Sequence, residues 1–118
     1  MPAVSPFRGW RFNPETVGDI ASVLCPPYDM INAEEQEELK GRNQYNAIHL
    51  EASEGLDWNT SAKEQYAATS DLFDRWRADG VLRQDAEPSY YVMRHSFPRG
   101  GKDMVRVGLI ASVGLEDY

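Results

Sequence analysis

At 118 residues the chain is long enough for one modest core and too short for two. Its formal net charge of −7, from 12 cationic and 19 acidic side chains, repels phosphate backbones and disfavours nucleic-acid binding. One cysteine excludes an internal disulfide, no Cys/His group has zinc-ligand spacing, and a hydrophobic share of 42%, a little under the globular norm, with an ordinary 26% charged, argues against disorder.

Met1 leads into Pro2-Ala3-Val4-Ser5-Pro6, which has neither a charged n-region nor an apolar h-region. No apolar run approaches the roughly 20 residues of a membrane helix. The sequence reads as one cytoplasmic domain over residues 1–118.

In chain order, Val4 to Asn13 is predicted to hold a short strand around Phe7, Trp10 and Phe12. Asn13-Pro14-Glu15 reads as a helix start, with Asn as cap, Pro at the first helical position and an acid in the first turn; Gly18 cuts it short. Ile20 to Leu24 is expected as a brief buried strand. Pro26 and Pro27 then hold Cys25–Pro27 extended, because each fixes its own φ and restricts the residue before it.

Asn32-Ala33-Glu34-Glu35 resembles a capping box and predicts a helix to about Lys40, with Gly41 past its end. Four glutamates between positions 34 and 38 fit a solvated face better than paired acid–base chemistry, which needs a cleft. Tyr45 to Ala52 alternates Ile48 and Leu50 with Ala47, His49 and Glu51, and reads as a strand. A polar loop with Gly55 and Trp58 follows. Ser61-Ala62-Lys63-Glu64 opens a helix over Ala62–Asp79, carrying Tyr66, Thr69, Phe73 and Trp76 at helical spacing with Leu72 beside them. Gly80 closes it.

Ser89–Phe97 and Lys102–Val113 read as two strands joined by Pro98-Arg99-Gly100-Gly101. Val105, Val107, Leu109, Ala111 and Val113 share one face of the second strand, while Tyr91, Met93 and Phe97 share a face with His95 on the first. The predicted fold is α+β, a mixed or antiparallel sheet ending in this C-terminal hairpin, with two main helices. Its expected core is Ile20, Leu24, Ile48, Leu50, Leu72, Phe73, Trp76, Val107, Leu109 and Ala111.

No phosphate loop, dinucleotide fingerprint, nucleophile elbow or HExxH motif occurs. Arg99-Gly100-Gly101-Lys102 sets glycines beside cations, but a hairpin turn lacks the helix N-terminus that backs a phosphate. Cys25 has no cation nearby in sequence to activate it and fits a buried structural thiol. The polar set with the chemistry of a site is Pro26, Pro27, Tyr28, Asp29, Asn46 and His49. Tyr28 offers a stacking face, Asp29 an acceptor, Asn46 both donor and acceptor, and His49 a base or ligand contact. The competing structural reading has Asp29 capping a turn and Tyr28 packing over the prolines.

Several stretches together carry a resemblance: Val4-Ser5-Pro6-Phe7-Arg8-Gly9, Val17-Gly18-Asp19, Pro26-Pro27-Tyr28-Asp29-Met30-Ile31 and Tyr45-Asn46-Ala47-Ile48-His49-Leu50. To these are added Arg75-Trp76, Gly80-Val81-Leu82 and Leu115-Glu116-Asp117-Tyr118. They resemble the start of domain-of-unknown-function family 1015, an uncharacterised bacterial and archaeal family. The resemblance implies the N-terminal part of a longer chain, with a His-Glu motif following soon after Tyr118. The ParB-like label sometimes given to the family implies nucleotide or phosphoryl chemistry; His49 stands where the family often has Arg. Two readings stay open: part of an enzyme that binds a small molecule or nucleotide, or a non-catalytic interaction module whose hairpin edge pairs with another chain or, as a homo-oligomer, with a second copy.

Overall fold

In the computed structural model, residues 2–51 and 62–116 are described, with the backbone alone at Tyr28 and Ala62. The strands are β1 Val4–Ser5, β2 Trp10–Phe12, β3 Leu82–Gln84, β4 Tyr91–Arg99, β5 Lys102–Ile110 and β6 Ser112–Val113. The helices are α1 Pro14–Val17, α2 Ala33–Arg42, α3 Ile48–Glu51 and α4 Ala62–Ala78, with short 3-10 turns at Ile20–Val23 and Tyr28–Met30. The α+β expectation holds. In place of one larger sheet, the described strands form three two-stranded sheets, β1 with β6, β2 with β3 and β4 with β5. The chain divides into two compact units, residues 11–83 and residues 1–10 with 84–118.

The unit of residues 11–83 is built on caps that the sequence announces. Asn13 caps α1 by accepting from the Glu15 N–H, with Pro14 at the first position. Asn32 caps α2 by accepting from the Glu35 N–H at 2.8 Å, and its own amide donates to the Glu35 carboxylate. The helix runs through Gly41 to Arg42, a turn's fraction beyond the predicted stop. At the end of α4 the Val81 N–H reaches back to the Trp76 carbonyl at 3.0 Å, and Gly80 takes φ +75°; this is a Schellman closure, which needs a residue without Cβ strain at Gly80. The freed Gly80 carbonyl accepts from Asn13 and Thr16, which ties the two helix ends together.

Two predicted strands are helical turns. Ile20–Val23 is a 3-10 helix because Asp19 caps it, accepting from the Ala21 N–H. Ile48–Glu51 is a helical turn because the Asn46 side chain accepts from the Ile48 N–H and the Asn46 and Ala47 carbonyls take the next three N–H groups. Over four residues, neither an apolar run nor an alternation separates a strand from a turn of helix; the local Asp and Asn caps decide it. The predicted loop with Gly55 and Trp58, and Ser61 of the capping box, lie outside the described residues.

The core lies within this unit. Val17, Val23, Trp76, Val81 and Leu82 are buried together, with Phe12, Tyr45, Leu50, Leu72 and Phe73 packed around them. Trp76 is 4% exposed and meets the Phe12 and Tyr45 rings at 6.0 Å centroid distance, the latter edge-on. Thr69, Leu72, Phe73 and Trp76 keep the predicted stripe, but Tyr66 is 75% exposed and does not belong to it. Of the expected core, Ile20 and Leu24 are exposed, and so are Val107 at 66% and Leu109 at 65%.

In the other unit, β4 and β5 form an antiparallel hairpin paired from Tyr91↔Ile110 to Arg99↔Lys102. Its turn is Gly100–Gly101 alone, shorter than the predicted four residues. Both glycines have positive φ, as a two-residue turn that follows the strand twist requires. Near the base, Gly9 N–H donates to the Tyr91 hydroxyl at 2.7 Å, and that hydroxyl donates to the Asp85 carboxylate. The Gly9 carbonyl accepts from Asp85 N–H, and Phe7 and Ser89 exchange backbone bonds.

Candidate functional site

Within residues 11–83, the turns are assembled around two asparagines. Asn46 is 0% exposed and its amide donates to the Ser22 carbonyl at 2.9 Å and the Leu24 carbonyl at 3.0 Å. Next to it, Ala47 N–H donates to the Val23 carbonyl at 2.8 Å. Asn43 donates to the Ser22 hydroxyl and the Val17 carbonyl. Asn43 and Asn46 thus clasp the segment that leads into the prolines. Buried amides with every group bonded are rigid parts of a fold, because each lost partner leaves an unsatisfied buried group.

That clasp sets α3 between the end of α2 and the middle of α4. The three helices enclose a cleft of about 620 Å³ lined by Lys40, Gly41, Gln44, His49, Ala68, Leu72 and Arg75. Its volume falls in the range of about 300–1,000 Å³ common for small-ligand sites. The His49 Nε2 lies 3.3 Å from the Asn43 carbonyl. A neutral ring that donates there keeps Nδ1 as an acceptor, and protonation makes Nδ1 a second donor. Among the described residues, neither Lys40 nor Arg75 forms an ion pair, whereas Arg42 pairs with Glu38 and Arg77 lies 3.7 Å from Asp74. Two basic side chains and an imidazole therefore line one concave surface of an acidic chain.

Of the six residues singled out from the sequence, His49 lines this cleft. Asn46 is fully buried and does not line it. Pro26, Pro27 and Asp29 are exposed on the segment after Leu24 and are not among the residues lining the cleft, and the Tyr28 side chain lies outside the described residues. Lys40, Gln44 and Arg75 were missed. Arg75 stands in one of the stretches that carry the family resemblance, and Lys40 reads as a favourable cation in the last turn of α2; neither signal points inward by itself. Cys25 is half-buried, and burial pushes its thiol above its ordinary value, with the Glu51 carboxylate adding to the shift. That is the environment of an unreactive thiol.

Among the described residues no group of three His, Cys, Asp or Glu side chains could hold a metal ion, and no helix is long and apolar enough to cross a membrane. Fold and cleft define an α+β protein with a concave surface edged by cations. The chain belongs to the family of proteins of unknown function DUF1015, whose family model matches residues 4–118. No curated protein and no solved structure matches it.

Proposed function

We propose that the cleft between α2, α3 and α4 binds a small anionic molecule, a phosphorylated metabolite or nucleotide, as the ligand-binding part of a cytoplasmic enzyme. One observation carries this reading: Lys40, His49 and Arg75, from three different helices, line the same cleft in a chain of net charge −7. Basic side chains that form no ion pair among the described residues, beside an apolar wall of Ala68 and Leu72, suit a ligand with one anionic end and one flat or apolar part. Arg75 would hold the anion through its planar fork, Lys40 would add a mobile charge, and His49 would orient the ligand or exchange a proton with it.

The test is an amide NMR titration with Mg-ATP, Mg-ADP and inorganic phosphate. The expected result is saturable shifts at Lys40–Gln44, His49 and Ala68–Arg75, weakened about tenfold or more in Arg75→Gln by loss of a charge-assisted pair. No saturable shift with any of the three would sink the anion-binding reading. Shifts confined to Tyr28 and Asp29 would relocate the site to the proline segment.

A further inference from the structure

The hairpin offers an interaction surface that the cleft reading does not use. Pro98 has no N–H, and it stands opposite Asp103. A proline is tolerated in a ladder where its nitrogen points away from the neighbouring strand, so Pro98↔Asp103 is a non-hydrogen-bonded pair. The two-residue turn agrees, since it places Arg99↔Lys102 as the first hydrogen-bonded pair. Alternation then fixes the rest of β5. Asp103, Val105, Val107 and Leu109 aim their N–H and C=O groups away from β4, and among the described strands β5 has no second neighbour. The outer edge of β4 is interrupted by Pro98, whereas β5 contains no proline.

We propose that β5 pairs with β5 of a second copy of this chain, antiparallel and centred on Val107. The sequence of the strand selects both the occupant and the register. Around Val107, Val105 falls opposite Leu109 of the second copy, Met104 opposite Ile110 and Arg106 opposite Gly108. Every outward-facing backbone group from Val105 to Leu109 then meets an outward-facing group of the other copy, and no two like charges stand directly opposite. Centring on Val105 would set Asp103 against Val107, and centring on Arg106 would set two arginines directly opposite in a non-hydrogen-bonded pair. Centring on Leu109 would need the stretch beyond Ile110, where Ser112–Val113 turns to pair with β1. The register centred on Val107 engages Val105, Val107 and Leu109 of both copies without a like-charge contact, whereas centring on Gly108 engages only Val107 and Leu109 within the strand. The paired strands continue one apolar face, because Val105, Val107 and Leu109 all lie on the side shared with Val92.

Sedimentation equilibrium of the 118-residue chain from micromolar to millimolar concentration tests this, with Val107→Pro as the decisive variant. The Val107 N–H does not serve the β4 ladder, so Val107→Pro removes only an outward donor and is expected to keep the hairpin's far-UV circular dichroism. Val107→Lys serves as the second variant should the proline disturb folding. The expected result is concentration-dependent association of the wild type, weakened at least tenfold in either variant. A wild type that stays monomeric throughout, or an association that folded Val107→Pro and Val107→Lys retain, would overturn the proposal.

Discussion

Residues 11–83 and the hairpin of residues 91–110 use apolar side chains in comparable density, and they do opposite things with them. In the first, Val17, Val23, Trp76 and Val81 are packed inside a shell of turns and helices. In the second, Val92, Val105, Val107 and Leu109 stand on one face of a two-stranded ribbon and remain exposed. The difference lies in what surrounds the pattern. The turns around Trp76 are closed by side-chain caps and asparagine bonds to distant carbonyls, so apolar groups from separate segments of the chain reach one place. The hairpin is closed by its own turn and ladder, and Val92, Val105, Val107 and Leu109 stay exposed on its face. Burial follows tertiary closure, and alternation alone does not supply it.

Substitutions sharpen that contrast. Trp76→Ala removes the ring on which Phe12 and Tyr45 rest and is expected to cost about 4 kcal/mol, enough to unfold a domain of ordinary stability in mild urea. A loss under about 1 kcal/mol would show that the cluster is not the core of this unit.

Next in size is Asn46→Ala, at about 3 kcal/mol, because the Ser22 and Leu24 carbonyls and the Ile48 N–H lose their partner in a site closed to water. Urea denaturation followed by circular dichroism reads the loss. A neutral outcome would mean that water replaces the amide and that the clasp does not hold the proline segment. Asn46→Asp should be nearly as costly, since a carboxylate cannot donate to either carbonyl.

Gly80→Ala tests the Schellman closure more gently. With φ at +75° a Cβ is strained, and no heavy atom stands within 4 Å of where it would lie, so the cost is backbone strain of about 1 kcal/mol without a clash. A stabilised variant would contradict the left-handed geometry at this position.

How far the sequence discloses this arrangement depends on where the deciding interaction sits. Helix caps are local: Asn13-Pro14, Asn32 with Glu35, and Gly80 are all legible, and α1, α2 and α4 fall where expected. The hairpin is local too and its two strands fall where expected, but its turn does not: Gly100–Gly101 alone closes it, and Pro98 and Arg99 belong to the ladder. The turns at 20–23 and 48–51 are less legible, since a short apolar run and a short alternation read as strands, and the Asn46 amide finds the Ser22 and Leu24 carbonyls 24 and 22 residues away. The cleft is least legible of all. Lys40, His49 and Arg75 are spread over three helices, and each alone has an ordinary surface explanation. His49 was found because its neighbours form a polar set; Lys40 and Gln44 carry no comparable mark.

The smallest expected effect probes the exposed side of the comparison. Leu109 is 65% exposed and lies on the hairpin face with Val92, Val105 and Val107. An exposed leucine has little buried area to lose, so Leu109→Ser is expected to change the unfolding free energy by less than about 0.5 kcal/mol when measured in dilute solution. The serine keeps the backbone N–H and C=O and merely trades an apolar side chain for a polar one on a strand. Measured instead at millimolar concentration, the same substitution should cost more, because the Leu109 side chain then packs beside Val105 of a second copy. A penalty above about 1 kcal/mol already present in dilute solution would be the informative failure. It would mean that the hairpin face is covered within a single chain, and that the two regions differ less in how they treat their apolar residues than their exposures imply.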